Sequence, residues 1–286
     1  MHLPDRWRRW LLLAALLAAV LPPAGWWGPE LLQRRILFPF RGPHTTPNPD
    51  NGRVLTATYD DGTVPIVLWR PRLGEPFVVW FHGGGETIHN QVRIHEELVE
   101  RELGLAAIEY PGFGGATGAG PSETTILASA RAGLDLLDQE GLPRPVCVGA
   151  SFGTAVALAM AAEDRCSALI LASPFTSVPD LWKYHWPGRD IEVLDPFEAL
   201  PRARAVFAPA LVIHGLRDTW VPYAQGELVA SALEDARFMT TDNGHLDLFQ
   251  PAVWETLAAF AHQHGDQRGG VNVRGPWTGG TDSGGG

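Results

Sequence analysis

Between residues 53 and 262 the chain alternates short apolar runs with longer amphipathic stretches. Arg53–Tyr59 and Val64–Trp69 switch between apolar and polar positions on either side of Asp60-Asp61-Gly62, a pattern that predicts a hairpin. Further strands are predicted at Phe77–Phe81, Leu105–Glu109, Val146–Gly149, Ala168–Leu171, Ala210–His214 and Ala236–Thr240. Helical spacing lies between them over Asn90–Glu102, Glu123–Glu140, Phe152–Ala162, Tyr223–Leu233 and Pro251–His262. Strands that are apolar at every position suit a sheet buried on both faces. The pattern therefore predicts an α/β fold with a mostly parallel, eight-stranded sheet and helices on both sides.

The two ends depart from this rhythm. Arg6, Arg8 and Arg9 precede an apolar run from Trp10 to Trp27, the arrangement of a signal-anchor that holds the chain in a membrane. A cleaved signal is the alternative, and would leave the protein secreted. Residues 1–34 are thus read as an anchor and linker, and 35–264 as the folded domain. The charge distribution favours the N-terminus inside and the domain outside the cytoplasm. The glycine-rich stretch 265–286 has no periodicity and is expected to be a disordered tail.

Composition narrows the function. With 22 basic and 32 acidic residues, the chain lacks the basic surplus that a nucleic-acid binder needs to neutralise phosphates. Two cysteines are too few for a four-thiolate zinc site. Cys147 lies in one apolar run and Cys166 just before another, so both are expected to be buried thiols. A bridge between them is the reading only if the domain lies outside the cytoplasm.

The chemistry is concentrated at strand ends. Strand Val146–Gly149 runs into Gly149-Ala150-Ser151-Phe152-Gly153, and a helix starts at once. A G-x-S-x-G turn in that setting lifts a serine above a sheet, over a helix N-terminus that favours negative charge. Asp218 follows strand Ala210–His214 and His245 follows strand Ala236–Thr240, which gives the chain order Ser, Asp, His. Ser151 is then the candidate nucleophile, His245 its general base and Asp218 the residue that orients the imidazole. Asp242, three residues before His245, is the competing orienter. The glycines after His82 let main-chain N–H groups approach a substrate oxygen, so Gly84, Gly85 and Phe152 are the candidate oxyanion donors. Backbone dipoles facing the oxyanion leave no need for a metal or cofactor.

Residues 174–208 form the longest connection in the body and are rich in aromatics, including Trp182 and Trp186. They are expected to make a small cap. With Tyr110 from a neighbouring loop, these two tryptophans are the candidate substrate-binding residues for a small-molecule, acyl or peptidyl substrate. His82 and His214 follow buried strands and are expected to make structural hydrogen bonds.

The segments FHGGGE, VGASFGTAVAL, ILASPFTS, LVIHGLRDTWVP and NGHLD resemble the α/β-hydrolase superfamily over about residues 37–262. With the N-terminal apolar segment, the resemblance is to a branch of membrane-anchored serine hydrolases. That branch includes the abhydrolase-domain depalmitoylases and aminopeptidase-like homologues. It implies cleavage of carboxylic esters or thioesters through an acyl-enzyme. An aminopeptidase-like reading would use Glu86 to receive a substrate amine, and a third reading is a catalytically silent binding module. Gly84-Gly85-Glu86 departs from the Asn-Ala-Gly sequence common in that branch and is nearer to triple-glycine esterases.

Overall fold

The computed structural model describes residues 34, 38, 45, 49–189 and 192–266. Residues 1–33 of the expected anchor and linker (1–34) and residues 267–286 of the expected tail (265–286) lie outside the described residues. Among the described residues no helix is long and apolar enough to cross a membrane.

Eight strands form one sheet among the described residues, in the order β1-β2-β4-β3-β5-β6-β7-β8. They are β1 Arg53–Tyr59, β2 Gly62–Trp69, β3 Phe77–Phe81, β4 Gly104–Ile108, β5 Val146–Ala150, β6 Ala168–Ala172, β7 Ala210–Gly215 and β8 Ala236–Thr241. The β1–β2 hairpin and the β2–β4 pair are antiparallel, and every other pair is parallel. Edge and centre read differently in the sequence for a physical reason. Strands β3, β4, β6 and β7 are buried at every residue, whereas β1 alternates in exposure and no residue of β8 is fully buried. The fully apolar runs are the strands covered on both faces.

Within the described residues 49–189 and 192–266, the α-helices are α1 Gln91–Val99, α2 Glu123–Gln139, α3 Gly153–Ala162, α4 Val178–His185, α5 Ala199–Ala203, α6 Tyr223–Ala232 and α7 Pro251–His264. Two apolar clusters lie on opposite faces of the sheet. One packs α2, α3, α5 and α6, and the other packs α1 and α7 with Trp80, Trp254 and Phe260. Each large side chain buried there contributes about 1.5–3 kcal/mol relative to exposure. Helix α3 is buried on all sides through Ala161, which explains its lack of a polar stripe.

The cysteines are not free thiols. Cys147 of β5 and Cys166, just before β6, form a disulfide. Adjacent parallel strands joined through α3 bring the two residues to a Cα separation of 5.6 Å, inside the range a bridge requires.

The connection between β6 and β7 carries α4 and α5. Its second half is fastened to the first turn of α2. The Glu123 carboxylate accepts the Phe197 N–H and pairs with Arg202, and the Glu123 N–H donates to Asp195. The first half of the connection carries α4, whose Val178, Leu181, Trp182 and His185 line one cavity with Ser151.

Candidate active site

The turn after β5 places Ser151 at φ 50°, a conformation that few side chains adopt. Its N–H donates to the Ala172 carbonyl at 2.8 Å, tying the turn to β6. The flanking glycines are steric necessities. A Cβ at Gly149 would lie 2.6 Å from Thr154 Cα, and one at Gly153 would collide with the carbonyls of Phe81 and His82. The turn is thus wedged against the end of β3, and α3 starts directly beneath it.

Asp218 and His245 arrive from the loops after β7 and β8. The Ser151 hydroxyl donates to His245 Nε2 at 2.9 Å, and His245 Nδ1–H donates to Asp218 at 2.7 Å. The other Asp218 oxygen accepts the N–H groups of Trp220 and Val221 at 2.9 and 2.8 Å. Burial works to raise the Asp218 carboxyl, but the hydrogen bonds from His245 and Val221 prevail and hold it below the usual carboxylate value. His245 Nδ1 is thus taken by Asp218 and not by the competing acid, Asp242, whose main-chain carbonyl receives the Arg217 side chain. Asp247 shapes the histidine loop instead, accepting the Gly244 N–H at 2.8 Å and the Asn243 amide at 3.2 Å.

Ser151, His245, Gly84, Gly85 and Phe152 line one cavity of about 570 Å³. Among the described residues, no hydrogen bond occupies the main-chain N–H of Gly84, Gly85 or Phe152. Trp182 and Trp186 of the cap line the same cavity, and their rings lie 4.3 Å apart. Most of the remaining wall is apolar, from Phe175, Val178, Leu181 and Val193. Arg34 reaches the wall from the N-terminal side and pairs with Asp195 at 3.3 Å.

Tyr110 is not a lining residue. It is fully buried, with its hydroxyl donating to the His82 carbonyl at 3.0 Å, because Phe113 and Phe152 enclose the ring edge-on. Glu86 does not face the cavity as an amine receptor either. Its carboxylate accepts the Gly83 N–H at 3.1 Å and so braces the glycine loop.

Two contacts were not apparent in the sequence. The Trp220 ring lies parallel to the His245 ring at 5.6 Å, and its carbonyl accepts His185 Nε2–H from the cap at 2.8 Å. Trp220 stands two residues after Asp218, so its loop placement was legible but its partner was not.

The sheet order, the strand-end turn and the three converging loops define an α/β-hydrolase architecture. The chain matches the alpha/beta hydrolase fold family over residues 76–195. It is 32% identical over 233 residues to an uncharacterized protein of Mycobacterium tuberculosis, covering 75% of this chain and 81% of that one. An alpha/beta hydrolase domain-containing protein of Caenorhabditis elegans is 28% identical over 178 residues, 60% of this chain and 52% of that one. A Pyrococcus furiosus esterase shares the fold with a TM-score of 0.66 at 16% identity, over 79% of this chain and 98% of that one. A bacterial membrane phospholipase A superposes with a TM-score of 0.59 at 18% identity, over 88% of this chain and 97% of that one. The protein belongs to the alpha/beta hydrolase family.

Proposed function

We propose that the protein is a serine hydrolase that cleaves carboxylic esters or thioesters through an acyl-enzyme. The observation that carries this reading is the unbroken hydrogen-bonded line from Ser151 through His245 to Asp218. Ser151 Oγ attacks the acyl carbon while His245 Nε2 takes its proton, and Asp218 stabilises the imidazolium that results. Negative charge gathers on the former carbonyl oxygen, toward the N–H groups of Gly84, Gly85 and Phe152. As the tetrahedral adduct collapses, the bond to the leaving alcohol or thiol breaks, and His245 returns the proton to it. Water then repeats the sequence: His245 accepts its proton, the hydroxide adds to the acyl carbon, and Ser151 leaves reprotonated. The apolar cavity wall with Trp182 and Trp186 suits an acyl chain.

A membrane anchor at the N-terminus and a domain outside the cytoplasm remain part of this reading. The Cys147–Cys166 bridge supports it, because such bonds persist in oxidising compartments. The engagement of Glu86 with Gly83 counts against the aminopeptidase-like alternative.

A fluorophosphonate probe tests the proposal. The folded protein should be labelled at Ser151, and Ser151→Ala should abolish both labelling and turnover of p-nitrophenyl esters. A folded wild type that neither labels nor turns over ester, thioester or amide substrates would establish the silent module instead.

A further inference from the structure

The end of β4 carries a buried acid that the mechanism does not use. Glu109 and His82 are both 0% exposed and lie 2.9 Å apart. The Glu109 oxygen facing His82 Nε2 also accepts the Tyr110 N–H at 3.2 Å, and its other oxygen accepts the Ile88 N–H at 3.2 Å. His82 and Ile88 bound the loop that brings Gly84 and Gly85 to the cavity. One carboxylate therefore grips both ends of that loop.

The second ring nitrogen of His82 faces the Gly83 carbonyl at 2.9 Å. A carbonyl oxygen only accepts, so Nδ1 must carry a hydrogen. Glu109 is met by the ring and by two main-chain N–H donors, which makes it the accepting partner and leaves the second hydrogen on Nε2. The other groups around the ring agree with a cation. Glu86 of the same loop adds negative charge nearby. The Tyr110 ring lies 4.1 Å away, and its phenol is pushed well up by burial, Glu109 and Glu86, so that it stays neutral. Burial opposes the charge on His82, yet the Glu109 interaction outweighs it and the imidazole is raised above its ordinary value. The Gly83 peptide is thereby held on both sides, its oxygen by His82 and its N–H by Glu86.

We propose that Glu109 and His82 form a buried carboxylate–imidazolium pair that fixes the Gly84 and Gly85 amides, with Glu109 a positioning residue acting through His82. The proposal rests on the serine hydrolase reading for its kinetic consequence but not for its chemistry. Loss of the His82 proton removes one of its two donors and frees one end of the loop. Turnover should then fall at alkaline pH while substrate binding by the cap persists.

The test pairs NMR of the 15N-histidine-labelled protein with kinetics. At about pH 7.5, His82, assigned by comparison with His82→Gln, should show two protonated ring nitrogens, which a free histidine would not. In Glu109→Gln one of them should lose its proton. The kcat for a p-nitrophenyl ester should drop about 10- to 100-fold with KM little changed. The alkaline limb of its pH profile should also move to lower pH, and Glu109→Asp should keep the imidazolium and recover part of kcat. A neutral His82 in the wild type overturns the proposal, as does a Glu109→Gln protein with unchanged kcat and pH profile. If Glu109→Gln does not fold, the wild-type spectrum and the kcat of His82→Gln decide the matter alone. A wild type inert toward esters and the fluorophosphonate would refute the hydrolase reading while the spectrum still reported the pair.

Discussion

The dipeptide His-Gly closes two of the parallel strands, as His82-Gly83 directly after β3 and as His214-Gly215, the last two residues of β7. Both imidazoles are completely buried, and the site hangs between the loops they begin. Their chemistry is opposite. His82 has an acceptor at each ring nitrogen and is raised toward the charged form. His214 donates from Nε2 to the Val221 carbonyl at 3.0 Å, while its Nδ1 has no partner and sits against Gly226. Burial lowers it toward the neutral form despite Asp218 at 3.5 Å. That carboxylate is already engaged by His245 and two main-chain N–H groups. The same two residues are thus pushed toward the charged or the neutral form according to whether a remote carboxylate is committed to them.

The two ends should also differ in how directly they touch the reaction. The β7 loop carries the acid that contacts His245, whereas on the proposed mechanism the β3 loop would act through amides. Asp218→Asn should therefore cost about 10⁴-fold in kcat with the melting transition preserved, because the imidazole is left in the wrong tautomer. Steady-state kinetics beside circular dichroism measures this. A loss no larger than that of Glu109→Gln would erase the distinction between the two ends.

Stability against pH separates them by sign. His82, raised above the ordinary 6.5, contributes stability that is complete below that value and is lost as pH climbs through its folded value. His214, lowered from 6.5, contributes stability that is present above that value and is lost as pH falls through its folded value. Urea unfolding across the pH range should show His82→Gln flattening the alkaline side and His214→Gln the acid side. Identical changes in both variants would mean that the rings share one protonation state.

The smallest expected effect concerns the support of His245 itself. Trp220 is 58% exposed, and its side chain meets His245 through the ring face. An aromatic contact of about 0.5–1.5 kcal/mol corresponds to a loss of roughly 2- to 13-fold in kcat for Trp220→Ala. Single-turnover acylation rates should show the loss in the chemical step. An unchanged acylation rate would assign the tryptophan to the cavity wall alone.

Much of this architecture was legible because local pattern and tertiary role coincide. The central strands are apolar at every position since both faces are covered, and the Gly149 and Gly153 pair marks a turn where backbone approaches backbone. Asp218 and His245 could be found from strand-end position and chain order. What stayed hidden depends on long-range partnership. Glu109 reads as the polar end of a strand, and nothing near it in sequence points to His82, 27 residues earlier. Tyr110 follows the same strand, but the inward turn of its ring is decided by Phe113 and Phe152. A lone pair of cysteines has no spacing signature, so the bridge emerged only when β5 and β6 lay side by side.

That bridge alters what a protease could do to the molecule. The covalent ring from Cys147 to Cys166 contains Ser151 and all of α3, and Arg165 is its penultimate residue. A tryptic nick after Arg165 would leave the two pieces tethered, migrating as one band until a reductant released them. The serine would stay on the N-terminal piece and its histidine on the C-terminal one, so catalysis by a clipped molecule would depend on sulfur redox state rather than on an intact main chain.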